Sequence, residues 1–139
     1  MSNWTHVAGI IRVDHLRLDK DDELDFDEIF GKECHYSDDD SVWDDWGKNP
    51  NIYMPGGSEG TLRKSIWKNP DKNCMAAYTV SVFGDLRDHY SADEIINWFK
   101  SICSDLGMLV RNAVIVVNNE YFGQKSWVFN NDIERRANG

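Results

Sequence analysis

Apolar and polar residues alternate along the first part of the chain and predict a strand over residues 4–13. Val7 and Ile11 fall on one face of this strand, and Ala8 and Ile10 fall on the other. Because both faces carry apolar residues, the pattern predicts a central strand covered on both sides, or nearly so.

Two further pairs of strands are predicted as hairpins. Residues 61–68 and 75–83 flank the turn-forming sequence Asn-Pro-Asp-Lys-Asn, and residues 111–118 are followed by a turn and a strand over 125–129. In 75–83 one set of alternate positions holds Tyr78, Val80 and Val82, whereas the other set is small or polar. That alternation predicts a sheet with one covered face in this region.

Helices are predicted at three places. Phe26 and Phe30 are one turn apart, and Asp25 stands at the start of a short helix over 26–33. A capping box begins at Ser91, and the apolar stripe that follows it ends at Gly107. Residues 41–46 are predicted to form a single helical turn.

The order of these elements predicts one α+β domain over residues 1–139, since about 150 residues is a usual domain length. Strand, helix, two strands, helix and strand in succession are typical of the ferredoxin-like arrangement, an antiparallel sheet with two helices on one face. The prediction adds an acidic crossover or insert over residues 14–57, a C-terminal β-hairpin, and a polar tail over residues 130–139.

Acidic residues are concentrated in a quarter of the chain and change this picture. Residues 14–46 hold fourteen acids and three bases, a local net charge of −11, within a chain whose net charge is −9. Direct nucleic-acid binding and an anionic membrane surface are both disfavoured, because each needs a basic face. The fourteen acids are Asp14, Asp19, Asp21, Asp22, Glu23, Asp25, Asp27, Glu28, Glu33, Asp38, Asp39, Asp40, Asp44 and Asp45.

Apolar and aromatic residues are interleaved with these acids, whereas solvating tails hold few aromatics. The segment is therefore predicted to fold and to present carboxylates to a basic protein, with two tryptophans as anchors. A solvated loop pinned to the domain by the same tryptophans is the alternative. The predicted binding residues are Asp21, Asp22, Asp25, Asp38, Asp39, Asp40, Trp43, Asp44, Asp45 and Trp46.

The functional prediction is a non-catalytic acidic inhibitor or binding protein. Spaced carboxylates imitate the phosphates of a nucleic acid and would fit the basic groove of a nuclease or another nucleic-acid-binding protein. In charge and size, though not in any motif, the chain is similar to immunity proteins of nuclease toxins and to phage-encoded nucleic-acid mimics. The basic partner itself is unknown, and a homo-oligomer is left open.

A glycine-rich loop over residues 56–60 provides an alternative prediction, a small-molecule or nucleotide-binding module. Its backbone N–H groups could approach a phosphate, with nearby cations as anion contacts. The residues predicted for this site are Gly57, Ser58, Arg63, Lys64 and Arg87.

No catalytic signature, metal-ligand spacing or cofactor motif is present in the sequence, so neither an enzyme, a metal site nor a cofactor is predicted. Cys34, Cys74 and Cys103 are few, odd in number and far apart. This use of cysteine favours a reducing compartment over a disulfide framework, and the cytoplasm is the predicted location.

Overall fold

The computed structural model describes residues 2–16, 24–33, 53–69, 75–89 and 91–130. Within these residues the chain forms five strands, two α-helices and one 3₁₀ turn. In chain order they are β1 (Trp4–Leu16), α1 (Phe26–Phe30), β2 (Arg63–Lys68), β3 (Met75–Arg87), α2 (Ala92–Leu106), the 3₁₀ turn (Gly107–Leu109), β4 (Val110–Asn119) and β5 (Gly123–Asn130).

The strands form a single antiparallel sheet in the order β2-β3-β1-β4-β5. β1 lies at the centre, paired with β3 along its whole length and with β4 on its other side. The register with β4 shifts between Arg12 and Val13, where β4 holds one extra residue. The α+β class and both hairpins are confirmed, whereas the ferredoxin-like arrangement stays a prediction.

Both confirmed helices begin where their sequence signals lie. The Asp25 carboxylate accepts hydrogen bonds from the first turn of α1, and the Ser91 hydroxyl accepts one from the Glu94 N–H of α2 at 3.1 Å. α1 ends at Phe30, three residues earlier than predicted, because Gly31 turns the chain at φ +94°. Among the described residues, no helix is both long and apolar enough to cross a membrane.

One face of the sheet, the covered face, packs against both helices around a single apolar core. Val7, Ile11 and Val13 of β1 point into it and are at most 4% exposed. Phe26 of α1 contacts Tyr78 on this face with ring centroids 5.1 Å apart. The core also contains Val80 and Val82 of β3, Ile95, Phe99 and Ile102 of α2, and Val110, Ile115 and Val117 of β4.

The other face of the sheet carries no helix among the described residues. Ile10 of β1 is 45% exposed there, although its neighbour Ile11 is completely buried. The prediction that β1 is covered on both sides is therefore wrong. The predicted turn over residues 41–46, most of the insert over 14–57 and residues 131–139 of the predicted tail lie outside the described residues.

Candidate functional site

Of the ten acidic and aromatic residues predicted to bind a partner, Asp25 is the one that the structure describes. The other nine, Asp21, Asp22, Asp38, Asp39, Asp40, Trp43, Asp44, Asp45 and Trp46, lie outside the described residues. What the structure does describe is how the acidic part of the chain is attached to the sheet.

Helix α1 is the central attachment point of the acidic part of the chain. Its N-cap Asp25 accepts hydrogen bonds from the backbone N–H groups of Asp27 and Glu28 at 3.1 and 3.2 Å. Phe30 is buried in the core, and the Phe26 ring lies 6.1 Å from it. The helix is thus fixed by two aromatic rings while its three carboxylates remain at the surface.

Two basic residues of strand β2 hold this region by charge. The Lys64 ammonium lies 2.6 Å from an Asp27 carboxylate oxygen and donates to the Gly31 carbonyl at 3.0 Å. The hydrogen bond and charge of Lys64 lower the pKa of Asp27. Glu33 accepts a hydrogen bond from the Lys64 backbone N–H at 2.9 Å and lies 3.4 Å from Arg63.

The two ends of residues 34–52 are also fixed at one place. Lys32 forms a parallel bridge with Tyr53, and the Met54 N–H donates to the Lys32 carbonyl at 2.9 Å. Because Glu33 binds the edge of β2, both ends lie beside that edge.

The described residues hold twelve acids and nine bases, a net charge of −3, whereas residues 17–23 and 34–52 together carry −6.

The glycine-rich loop packs directly on the end of strand β3. The Ser58 N–H donates to the Arg87 carbonyl at 2.8 Å, and the Arg87 N–H donates to the Glu59 carbonyl at 2.9 Å. A Cβ on Gly57 would lie 2.2 Å from the Arg87 carbonyl oxygen, and one on Gly60 would lie 2.1 Å from that of Asp85. Close backbone packing therefore accounts for both glycines.

The basic residues of the predicted small-molecule site are paired with acids. Arg87 lies 2.7 Å from Glu59, and Arg63 and Lys64 pair with acids of the α1 region as described above. Gly57, Ser58 and Arg87 are brought together. Arg63 pairs in register with Phe83, four residues from Arg87 and so roughly 13 Å away along the strand. Lys64 points to the opposite face of the sheet from Arg63.

The face of the sheet opposite the helices, which we call the open face, carries no helix among the described residues, and its apolar centre was not predicted from the sequence. Its centre is apolar, and several side chains are well exposed, among them Phe83 at 44% and Val128 at 67%. Cross-strand pairing places these residues side by side across four strands. The centre consists of Ala8, Ile10, Phe83, Val114, Val116 and Val128.

Charged groups lie at the two ends of the open face. At the acidic end, the His6 imidazole lies 2.6 Å from Asp85 and 3.4 Å from Glu120, and these carboxylates raise its pKa. At the basic end, Asp14 lies 3.4 Å from Arg12 and 3.0 Å from Arg111. The apolar centre thus separates two charge clusters of opposite sign.

A groove of about 510 Å³ runs between helix α2 and strand β5. Trp127, Phe129 and Met108 line it, and the Lys100 ammonium lies 5.7 Å from the centre of the Trp127 ring. Cys103 also lines the groove, but burial raises the pKa of its thiol to about 12. At neutral pH this cysteine is therefore a protonated packing residue rather than a nucleophile.

Among the described residues, no three His, Cys, Asp or Glu side chains are grouped closely enough to hold a metal ion. No protein-family profile, curated protein or solved structure matches the chain. Its function is therefore inferred from its own residues.

Proposed function

We propose that this protein is a non-catalytic acidic binding protein that inhibits or sequesters a basic partner, such as a nuclease or another nucleic-acid-binding protein. The observation that carries this proposal is the distribution of charge. Two thirds of the net charge of −9 belongs to residues 17–23 and 34–52, whereas the described residues together carry −3.

The anchoring of the acidic region supports the proposal. Lys64 and Arg63 neutralise the acids closest to the sheet, Asp27 and Glu33, so those acids hold the region in place. The aspartates at 38–40 and 44–45 belong to a stretch whose two ends are fixed beside β2. Fixing the ends lowers the conformational entropy that a partner must remove on binding.

The mode of action would be electrostatic occupation of a nucleic-acid groove. Carboxylates at Asp38, Asp39, Asp40, Asp44 and Asp45 would take the positions of phosphates against Lys and Arg side chains, and would accelerate association by steering. Asp21, Asp22 and Asp25 would extend the charged surface. Trp43 and Trp46 would supply the desolvated apolar contacts that charge alone lacks.

The experiment is capture of partners from a lysate of the source organism, with elution by a salt gradient and identification by mass spectrometry. The test variant replaces the five aspartates at 38, 39, 40, 44 and 45 with asparagine, which changes the net charge from −9 to −4. We expect a basic nucleic-acid-binding protein to be retained by the natural chain and lost by this variant, which should melt at an unchanged or higher temperature.

A matched control removes the same number of charges elsewhere, at Glu59, Asp93, Glu94, Asp105 and Glu134. Equal capture by the control and the natural chain would assign binding to the acidic segment rather than to net charge. If the test variant captures the same protein and releases it at the same salt concentration, the proposal is wrong.

The alternative function, a small-molecule or nucleotide-binding module, stays a prediction. Its loop residues Gly57 and Ser58 lie against Arg87, but that arginine is paired with Glu59. Thermal-shift measurement against a nucleotide panel tests it, because a ligand at about a hundred times its Kd adds about 2.7 kcal/mol of stability. A concentration-dependent rise in Tm would favour this function over the acidic one.

Two finer assignments belong to the proposal. The ferredoxin-like arrangement is supported by the course of the chain, since β1 and β2 run in the same direction with β3 between them. The short α1 and the added strand β5 distinguish this chain from a minimal fold of that kind. The cytoplasmic location is supported by the use of cysteine, including the buried thiol of Cys103.

A further inference from the structure

We propose that the open face of the sheet is the contact surface of a homodimer, in which the open faces of two copies stack on each other. This inference is independent of the proposed function, because it uses none of the acidic residues at 17–45. It rests on the apolar centre of the open face, on its size and on the charges at its two ends.

The apolar centre is continuous rather than scattered. Ile10 of β1 pairs in register with Val114 of β4, which pairs with Val128 of β5. Two residues before Ile10 on β1, Ala8 lies between Val116 of β4 and Phe83 of β3. These side chains form a patch across four strands, and contiguous exposed apolar patches of this kind typically mark protein interaction sites.

The size of the open face matches what a stable dimer needs. Five strands spaced about 4.8 Å apart make the sheet about 24 Å wide, and nine residues of β1 from His6 to Asp14 extend about 30 Å. The product is roughly 700 Å² on each copy, close to the ~800 Å² per partner of a standard interface. Two such faces would pack at about 10 Å, as the sheets of a sandwich do.

The charges at the ends select one way of stacking the two copies. The acidic end consists of His6 with Asp85 and Glu120. A two-fold axis that lies between the two sheets and runs across the strands places this end over the partner's basic end. An axis along the strands would instead place each charge cluster opposite the identical cluster of the partner, which is repulsive. The proposed dimer therefore has its two-fold axis across the strands, with an isologous contact.

The first test measures the molar mass of the intact chain by sedimentation over a wide range of concentrations. The variant Ile10→Thr/Phe83→Thr removes apolar area from the open face and places at both positions a β-branched side chain suited to strands. The matched control Ile66→Thr/Met108→Thr removes exposed apolar side chains from the side of the molecule that carries the helices. There Ile66 is 41% and Met108 is 82% exposed.

We expect a concentration-dependent dimer for the natural chain and the control, and a dimer Kd at least tenfold higher for the open-face variant. Circular dichroism and urea titration of each variant verify that it is folded. A natural chain that stays monomeric at all concentrations overturns the proposal, and the open face is then free or covered within one copy. An open-face variant that dimerises with the same Kd as the natural chain also overturns it and moves the contact elsewhere, for example to the edge of β5.

A charge reversal tests the direction of the axis. Arg12→Glu and Asp85→Arg should each weaken the dimer, and the double variant should restore it. Within one copy these residues lie about 20 Å apart along the sheet, since Asp85 pairs in register with His6, six residues from Arg12. Rescue therefore requires two copies. A double variant that dimerises no better than the worse single variant rules out the axis across the strands.

Discussion

The two faces of the sheet are built from alternate residues of the same strands, yet their surroundings differ completely. In β1, Ile11 is fully buried in the core on the covered face, and the adjacent Ile10 is 45% exposed on the open face. On β3, Val82 lies in the core, whereas Phe83 is 44% exposed. Apolar side chains on these strands therefore serve two purposes, since one set holds the fold together and the other is available for contact.

The largest expected effect comes from shortening the two adjacent isoleucines in turn. Ile11→Ala should lower the free energy of unfolding by about 2–5 kcal/mol, because it removes buried methyl groups and leaves a cavity. Ile10→Ala should cost less than about 1 kcal/mol when measured in dilute protein, because its side chain is already partly in water. Urea titration of both variants measures the difference. Equal losses would mean that the open face is covered.

The next effect contrasts two glycines that share a positive φ but differ in their surroundings. Gly60 (φ +77°) packs against the Asp85 carbonyl, whereas the Cβ of a residue at Gly123 (φ +83°) would contact nothing. Gly60→Ala should cost about 1–3 kcal/mol more than Gly123→Ala, since both incur backbone strain but one also incurs overlap. Thermal unfolding of the two variants measures this. Equal costs would contradict a packing role for the glycine-rich loop.

A smaller effect on stability is expected from the buried histidine that follows strand β3. His89 is 8% exposed, and burial lowers its pKa below 6.5 despite the opposing charge of Glu94. As the pH falls below 6.5, the unfolded chain takes up a proton that the folded chain does not, so stability should decrease until the folded pKa is reached. Urea titrations between pH 7.5 and roughly 5 measure the slope, and His89→Gln should reduce it.

The smallest effect is expected from His6 on the open face, and its sign is opposite. Asp85 and Glu120 raise the pKa of His6 above 6.5, so its contribution to stability is complete below pH 6.5 and is lost as the pH rises through the folded pKa. The imidazole is largely exposed, so solvent screening keeps the effect small. Comparing His6→Gln with the natural chain over the same pH range isolates it. A loss of stability at low pH specific to His6 would contradict the assignment.

Local signals predicted the elements well because each depends on neighbours in sequence. The capping residues Asp25 and Ser91 and the alternation around Tyr78 depend on residues within one turn or one strand. The candidate site was less predictable. The glycines of the loop were interpreted as a possible phosphate cradle, but packing explains them. Gly60 packs against Asp85, 25 residues away, and Gly57 packs against Arg87, 30 residues away.

The α+β class, the two hairpins and the two helix starts follow from the sequence, because hydrophobic period and capping are local properties. The uneven distribution of charge is read from the sequence directly. Which face of β1 is covered depends on tertiary packing. Ile10 and Ile11 are the same residue type, and their burial depends on which face of the sheet packs against the helices. The pairing of Lys64 with Asp27 and of Arg87 with Glu59 was likewise set by strand register and loop closure, which join residues that are distant in the chain.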